Sequence, residues 1–370
     1  MERGKVAYYA QSLNLYNKFI RGESIGDNMP FIPLGKLKAL LADVFEVFKS
    51  ESSLPRIKSP AVVIGDLHGH IQDLFRIMRD FPLESDRKYV FLGDLVDRGE
   101  HSLHTTIMVF LLKVLYPAQV FLIRGNHEFD DMCSNAGFKA EVLRDYSDSG
   151  IYESFLAAFS VLPLALIIDQ RILCVHGGIG PSIETIEQIE SIPRPIMSFE
   201  DMKVSSLVWS DPTEDSGVFM PSCRGTGFLF GKEALFGFLD KNNIEILIRG
   251  HECVSGGVYS QFDGRVYTVF SASNYCGVSN NFAGALEINS IRSLISHRYA
   301  PSYMIPKIHS HPEKGFVPLE YSYTQPSILG DKKKTVTSLI SRAAPMVRIK
   351  TRLSNEASSM PISSILLPKI

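Results

Sequence analysis

Residues 61–102 read AVVIGDLHGHIQDLFRIMRDFPLESDRKYVFLGDLVDRGEHS and decide the class of fold. Two short β-rich runs, AVVIG at 61–65 and YVFLG at 89–93, are each followed by a polar loop. Both loops lead into helical patterns, which we predict over 70–79 and 102–115. Because strands that alternate with helices are typical of βαβ units, this stretch predicts an α/β domain.

The regions on either side extend this prediction. A third β-rich run, QVFLI, occupies 119–123, and residues 160–290 hold LALII, ILCV, EILIR, VYTVF and GALEI. We therefore predict stacked sheets with helices outside them. Residues 1–58 have a helical pattern. Within them, LGKLKALLADVFEVFK at 34–49 repeats apolar residues every three or four positions, which is typical of an amphipathic helix packed on a larger body.

The last 70 residues differ in composition from the rest of the chain. They contain many Pro and Ser residues and little periodicity. We predict one domain over 1–300, with helices 1–58 packed on it, and a flexible tail over 301–370. Residues 332–353 carry seven basic residues and no acidic one. Such a segment can bind a partner or inhibit the domain, and the alternative is a solvated tail with neither role.

Composition excludes several classes of function. The chain has 370 residues, is 45% hydrophobic and has a net charge of −2, so no overall field attracts nucleic acid. No apolar run reaches the roughly 18 residues that a membrane span needs, and the N-terminus lacks the apolar core of a secretory signal. Five cysteines without a C-x-x-C pair predict free thiols in a reducing compartment, the cytoplasm or the nucleus.

Five short segments hold the candidate functional residues. They are GDLHGH (65–70), GDLVDRGEHS (93–102), RGNHE (124–128), HGG (176–178) and RGH (249–251). Each directly follows an apolar strand-like run, and α/β folds place their ligand sites in loops at the carboxyl ends of strands. Neighbouring glycines let the backbone turn sharply there.

The potential metal ligands in these loops carry carboxylate, amide and imidazole groups. They are Asp66, His68, Asp94, Asn126, His176 and His251. Such a mixed set without thiolate suits Mn, Fe, Zn and similar divalent ions. Six ligands are too many for one catalytic ion with open positions, so we predict two ions with Asp94, in the middle segment, as the bridge.

Charge supports this interpretation. Two divalent ions bring four positive charges, and Asp66 and Asp94 bring two negative ones, so the centre keeps a charge of about +2. Such a centre attracts a phosphate dianion and lowers the pKa of a bound water. Taken singly, GDLHG fits a turn with an N-capping Asp, and HGG or RGH fits a structural histidine. All five motifs in this order are hard to explain by packing.

The series of motifs resembles the PPP family of serine/threonine protein phosphatases. The markers G-D-x-H-G, G-D-x-V-D-R-G, G-N-H-E, H-G-G and R-[AG]-H are all present, and the resemblance covers about residues 30–300. The first three also occur in other metallophosphoesterases, including dinucleotide polyphosphate hydrolases. LVWSDP (207–212) and SASNYCG (271–277) point to the protein phosphatases. The resemblance implies the metallophosphoesterase fold, a central β-sandwich flanked by helices.

The same resemblance implies how the metal ions are held and what they do. Asp66, His68 and Asp94 would hold the first ion. The second would be held by Asp94, Asn126, His176 and His251. A hydroxide that bridges the ions would attack phosphorus directly, without a phosphoenzyme. The substrates would be phosphoproteins, and regulatory or targeting subunits would bind the surface.

The resemblance also implies roles for residues that do not bind metal. His127 would be the general acid, oriented by Asp97. Arg98 and Arg224 would hold the phosphoryl oxygens, and Tyr275 would border the pocket. Arg249 would either assist them or have a structural role. A serine or threonine alkoxide is a poor leaving group, so such an acid is worth a factor of about 10²–10⁴ in rate.

Several positions depart from the family pattern, although no metal ligand or acid is lost. Ser273 replaces a proline, and we expect a less rigid loop there. Ala136 replaces a tyrosine, which reduces one wall of the substrate groove. His70, Cys223 and Leu95 also differ from the common residues. Two alternatives stay open: another metallophosphoesterase, such as a nucleotide polyphosphate hydrolase, and an inactive scaffold of the same fold.

Overall fold

A computed structural model describes residues 3–23, 29–83, 86–147, 149–215 and 217–302. The helices of this part are α1 (Arg3–Ile20), α2 (Leu34–Ser50), α3 (Ile71–Asp80), α4 (Ser102–Leu115), α5 (Asp130–Cys133), α6 (Phe138–Tyr146), α7 (Ile151–Ser160), α8 (Ile186–Glu190), α9 (Met202–Trp209) and α10 (Lys232–Lys241). Short 3₁₀ turns occur at Asn126–Glu128, Phe262–Gly264 and Tyr275–Gly277.

The strands form three sheets. They are β1 (Arg56–Ile57), β2 (Ala61–Ile64), β3 (Lys88–Phe91), β4 (Val120–Leu122), β5 (Ala165–Ile168), β6 (Ile172–Val175), β7 (Asp211–Pro212), β8 (Phe219–Pro221), β9 (Phe228–Phe230), β10 (Ile246–Arg249), β11 (Val258–Gln261), β12 (Val266–Val269), β13 (Ala283–Ile288) and β14 (Leu294–Tyr299). Six strands pair in the order β1-β5-β6-β10-β12-β11, five in the order β14-β13-β2-β3-β4, and three in the order β7-β9-β8.

The two large sheets pack face to face. Strand β2 shows this arrangement because its side chains alternate between two hydrophobic clusters. Ala61 and Val63 belong to the cluster that also contains Leu166 and Ile248 of the six-stranded sheet. Their neighbours on β2, by contrast, face the helices on the outer side. The predicted β-sandwich flanked by helices is therefore confirmed.

Helices cover the outer faces of the sandwich. Helix α2 buries Leu37, Leu40, Leu41, Val44 and Phe48, and this spacing of three and four residues places them on one face. The predicted amphipathic helix at 34–49 is thus present with nearly the same ends. The α2 side chains join the cluster that covers the five-stranded sheet.

Parallel strands bring the motif loops to one edge of the sandwich. Strands β2, β3 and β4 run parallel in one sheet, and β6, β10 and β12 run parallel in the other. Each predicted motif loop follows one of these strands, so the loops converge at the carboxyl ends. Gly93 shows how closely they approach. Its φ is +96°, and an added Cβ would lie 2.2 Å from the backbone nitrogen of Gly125.

The predicted tail over 301–370 lies outside the described residues except for Pro301 and Ser302, and it stays a prediction. The basic segment at 332–353 lies outside them as well. Among the described residues, no helix combines the length and the apolar character that a membrane crossing requires.

Candidate metal centre and active site

All six predicted ligands lie at this edge of the sandwich and are buried. Ligand atoms of His68, Asp94 and His127 lie within 4.8 Å of one another, and so do those of Asp94, His176 and His251. Asp94 is common to both groups, which is the arrangement that a bridging carboxylate requires. The other two predicted ligands adjoin these groups. Oδ2 of Asp66 lies 3.8 Å from Nε2 of His68, and Oδ1 of Asn126 lies 2.8 Å from Nε2 of His176.

The backbone at this site adopts conformations that most residues avoid. Left-handed φ values occur at His68 (42°), Asp94 (50°), Asp97 (72°), Arg98 (69°) and His251 (69°). Each such residue costs about 1–3 kcal/mol unless its surroundings enforce it, and such residues concentrate at functional sites. The local strain therefore marks the same loops as the motifs do.

Backbone carbonyls orient two of the histidines. His68 Nδ1 donates to the carbonyl of Val96 at 2.8 Å, and His176 Nδ1 donates to the carbonyl of Leu92 at 2.9 Å. Because a carbonyl only accepts, these bonds leave the Nε2 atom of each ring to face the centre. Both Nε2 atoms lie 3.4 Å from Oδ2 of Asp94. This is how metal-binding histidines are usually held.

His251 provides an independent test of whether the site fits a cation. Its Nε2 atom is buried and has no hydrogen-bond partner among the described residues. Burial, followed by the charge of Arg224, holds the pKa of His251 well below its usual value, so the ring is neutral. A neutral buried nitrogen without a partner is costly in a protein interior, and a bound cation would satisfy it.

The pKa values of the other ligand residues also suit a bound cation. Burial raises the pKa of Asp66 to about 7. Burial also opposes ionisation of Asp94, but His176, His127 and His68 outweigh it and hold the pKa of Asp94 well below its usual value. Burial disfavours the charged form of His176, yet Asp94 raises its pKa to about 9. A divalent ion would replace that proton, and the donor set fits one because it combines nitrogen and oxygen without thiolate.

Glu128 is a buried residue of the site that the sequence analysis did not assign. Its carboxylate accepts hydrogen bonds from the backbone N–H groups of Asp94 and Leu95, both at 2.8 Å, and of Gly125 at 2.9 Å. It therefore ties the loop after β3 to the loop after β4. The signal in the sequence was a glutamate three residues after a glycine, the spacing of a capping box.

We expect Glu128→Gln to destabilise the protein by about 1–3 kcal/mol. An amide nitrogen would replace one carboxylate oxygen and leave a buried backbone N–H without an acceptor. Urea unfolding measures this as a lower midpoint at unchanged slope. Glu46→Gln, at an exposed position of α2, is the matched control. A Glu128→Gln midpoint equal to that of the control would contradict the assignment.

His127 and Asp97 form a buried pair beside the centre. His127 Nδ1 lies 2.7 Å from Oδ2 of Asp97, and the other oxygen of Asp97 accepts from the backbone N–H of Phe138 at 2.8 Å. Burial opposes the charged form of His127, but Asp94 and Asp97 more than offset it and raise its pKa. The pairing leaves Nε2 of His127 as the nitrogen that can reach a substrate.

The predicted phosphate-binding residues surround the same loops. Arg98 is exposed. The Tyr275 ring lies 5.1 Å from that of His68. Arg224 Nε donates to Oδ2 of Asp211 at 2.6 Å, and its side chain is 35% exposed, so the remaining guanidinium nitrogens can meet a ligand.

Arg249 has the structural role that the sequence analysis left open. Its side chain is fully buried and donates to the carbonyls of Gly177 and Ser210 and to Oδ1 of Asp211 at 2.7 Å. Asp211 thus joins Arg249 to Arg224. Arg249 fixes the carboxylate that orients Arg224 and does not itself face the pocket.

At Ser273, where we expect a less rigid loop, the structure shows which contacts hold the loop. Ser273 is fully buried, and its backbone N–H donates to Oδ2 of Asp73 at 2.6 Å. Its hydroxyl lies 3.1 Å from the other oxygen of Asp73. A proline could make neither hydrogen bond, so the serine fastens the loop by another route.

Comparisons with known proteins agree with the fold and the site. Residues 59–255 match the family described as calcineurin-like phosphoesterase. The chain is 36% identical over 269 residues to a protein phosphatase 2A catalytic subunit of Dictyostelium discoideum, with 73% of this chain and 86% of that protein covered. It is 39% identical over 269 residues to serine/threonine-protein phosphatase BSL2 of Arabidopsis thaliana, with 69% of this chain and 26% of that protein covered.

A solved structure shows the same relationship. The chain superposes with a TM-score of 0.72 on a serine/threonine phosphatase of Saccharomyces cerevisiae that has similarity to human phosphatase PP5. The two are 30% identical, and the match covers 83% of this chain and 98% of the other. A β-sandwich with a centre for divalent metal ions at this edge defines a metallophosphoesterase. The chain belongs to the calcineurin-like phosphoesterase family and, within it, to the PPP-type serine/threonine protein phosphatases.

Proposed function

We propose that this protein hydrolyses phosphoserine and phosphothreonine in protein substrates. The observation that carries the proposal is the buried pair of His127 and Asp97. Nδ1 of His127 lies 2.7 Å from Oδ2 of Asp97, and a ring nitrogen of His127 lies within 4.8 Å of ligand atoms of His68 and Asp94. The relatives named as serine/threonine protein phosphatases support the same reaction.

We propose that the centre holds two divalent ions, of Mn, Fe or Zn. The set for the first ion is Asp66, His68 and Asp94, and the set for the second is Asp94, Asn126, His176 and His251. Bound there, such ions supply Lewis acidity toward phosphate oxygens and lower the pKa of water. The protein's contribution is to hold the imidazoles and one shared carboxylate in place before the ions arrive.

Proton delivery falls to His127. A serine or threonine oxygen must gain a proton as its bond to phosphorus breaks. Asp97 holds Nδ1 of the ring, which fixes its orientation and stabilises its protonated form. The Nε2 proton is then available to the leaving oxygen, while Asn126, one residue earlier, faces His176 within the metal centre.

The proposal extends to the substrates of the protein, its partners and its location in the cell. Phosphoproteins are the substrates, and regulatory or targeting subunits would bind the surface and select among them. A basic arm at 332–353 would recruit such a partner or lower activity. All five cysteines of the described residues are free, which supports a reducing compartment, the cytoplasm or the nucleus.

Paired substrates test the proposed function directly. The metal-loaded protein should release phosphate from a phosphoserine peptide much faster than it hydrolyses a dinucleotide polyphosphate. The reverse preference would favour a nucleotide polyphosphate hydrolase. No turnover of either substrate, in protein that contains metal, would favour an inactive scaffold.

We expect Arg98→Ala and Arg224→Ala each to weaken competitive inhibition by inorganic phosphate by about ten- to a hundredfold. A guanidinium that binds phosphate through paired, charge-assisted hydrogen bonds contributes about 1.5–3 kcal/mol. Inhibition constants at fixed ionic strength measure the effect. Arg171→Ala, at an exposed arginine paired with Glu245, is the control. Inhibition constants that stay unchanged in both variants would remove these residues from the phosphate site.

A further inference from the structure

Ser273 lies where three parts of the molecule meet, and its hydroxyl uses its full hydrogen-bonding capacity. The hydroxyl donates to Oδ1 of Asp73, in the first turn of α3, at 3.1 Å. It accepts from Nη2 of Arg76 at 3.1 Å and from the backbone N–H of Ser302 at 3.1 Å. A hydroxyl has one donor and two acceptor positions, and all three are filled here.

The charges around Ser273 are paired, and the acidic one is buried. Asp73 is 1% exposed, and the guanidinium of Arg76, one helical turn further along α3, neutralises it. Arg76 also donates to the carbonyl of Ala300 at 2.7 Å and lies over the ring of Tyr299, 5.6 Å from its centre. The end of β14 and the residues after it are thereby held to α3.

The loop fastened at Ser273 carries Tyr275. The backbone N–H of Tyr275 donates to Oδ1 of Asn281 at 2.9 Å, and Nδ2 of Asn281 donates to the carbonyl of Ala272 at 2.8 Å. The loop therefore has two anchors, Asn281 on one side and Asp73 on the other. The Tyr275 ring rests 5.1 Å from Phe270 and 5.1 Å from the metal-site residue His68.

We propose that Ser273 is a positioning residue for the phosphate pocket. It sets the position of Tyr275 through the loop between them, and it ties the chain at Ser302 to the same hydrogen-bond network. The proposal rests on the proposed function, since it uses Tyr275 as a residue of that pocket. Its consequence is that a change at the start of the C-terminal segment alters phosphate binding in the active site.

Ser302 offers a matched pair of variants. Ser302→Pro removes the backbone N–H that donates to Ser273, whereas Ser302→Ala keeps it. The measured quantity is the affinity of inorganic phosphate for the full chain loaded with Mn²⁺, determined by calorimetry. We expect Ser302→Pro to weaken phosphate binding about two- to fivefold, the effect of one net hydrogen bond. Ser302→Ala should stay within about twofold of the parent. Equal affinities for the two variants would overturn the link to Ser302.

Ser273→Ala tests whether Ser273 acts through Tyr275. We expect it to weaken phosphate binding about three- to tenfold in the parent protein, because Asp73, Arg76 and Ser302 each lose a partner. In a Tyr275→Leu background the same substitution should change the affinity less than about twofold, since coupled residues are not additive. The same loss of phosphate affinity in both backgrounds, or no loss in the parent, would show that Ser273 has only a structural role.

The experiment also separates this proposal from the proposed function. Phosphate affinity is measured without turnover, so the Ser273 result stands whatever substrate the enzyme prefers. A parent protein that binds phosphate but does not hydrolyse a phosphoserine peptide would contradict the proposed function alone. Thermal unfolding of each variant identifies a general loss of fold. Such a loss would lower the number of phosphate-binding sites that calorimetry counts, but it would leave the affinity of the remaining sites unchanged.

Discussion

We expect Asp94→Asn to reduce turnover of a phosphoserine peptide by about 10³-fold or more. Asp94 is the carboxylate that both ligand groups share. Its Oδ2 atom lies 3.4 Å from Nε2 of His68 and 3.4 Å from Nε2 of His176. Asparagine has the same shape but no charge, and its amide nitrogen cannot bind a cation. Loss of the Lewis-acid contribution costs several kcal/mol of transition-state stabilisation, and each 1.36 kcal/mol is about tenfold in rate.

The same variant should lose most of one metal equivalent. Two ions that share a carboxylate repel each other less because its negative charge lies between them, and a neutral amide removes that screening. Elemental analysis of protein purified without chelator gives the stoichiometry, beside the kinetic measurement. Asp240→Asn, at a residue that pairs with Arg265 on the surface, is the control. Two full equivalents together with normal turnover would remove Asp94 as the bridge.

Local patterns made the elements and the ligands predictable. Strand β2 could be predicted because AVVI is a short apolar run that precedes Gly65, and α2 because its apolar residues recur every three or four positions. The positions of the candidate metal ligands could be predicted because each lies in a loop that follows such a strand. Parallel pairing then brings the loops together without further information from the sequence.

Contacts between distant residues were not predictable in this way. The bond from Ser273 to Asp73 joins residues 200 positions apart, and the bond from Arg249 to Asp211 joins residues 38 positions apart. The structural effect of Ser273, in place of the family's proline, depends on the buried carboxylate of Asp73 that lies opposite. A sequence shows that the N–H is available but not which acceptor lies within reach. The role of Glu128 was not predicted for the same reason, since two of its three donors, Asp94 and Leu95, are more than 30 positions away in the sequence.

We expect His127→Asn to slow hydrolysis of phosphoserine by about 10²–10⁴-fold, the usual contribution of a general acid. Hydrolysis of an aryl phosphate should fall much less, because an aryl oxide leaves without needing a proton to the same degree. The two neighbouring side chains of this loop have different partners. His127 is held by Asp97 at 2.7 Å, while Asn126 lies 2.8 Å from His176 within the metal centre.

The ratio of the two rates is the informative measurement. A variant that only disturbed the metal centre would lower hydrolysis of both esters by the same factor, because both need the same attack on phosphorus. An equal loss on both substrates would therefore falsify His127 as the acid. Metal content measured on the same sample checks that the ions remain bound.

Asp97→Asn extends this test to the orientation of the acid. Asp97 accepts from Phe138 N–H through Oδ1 and pairs with His127 through Oδ2. An asparagine keeps the first contact but no longer supplies the charge that favours the protonated ring. We expect the same selective loss on phosphoserine, smaller than for His127→Asn, because the imidazole is still present. Asp97→Asn could instead slow hydrolysis of the aryl ester as strongly as that of the alkyl ester. That result would mean that Asp97 supports the loops of the metal centre through its backbone contact and does not assist proton transfer.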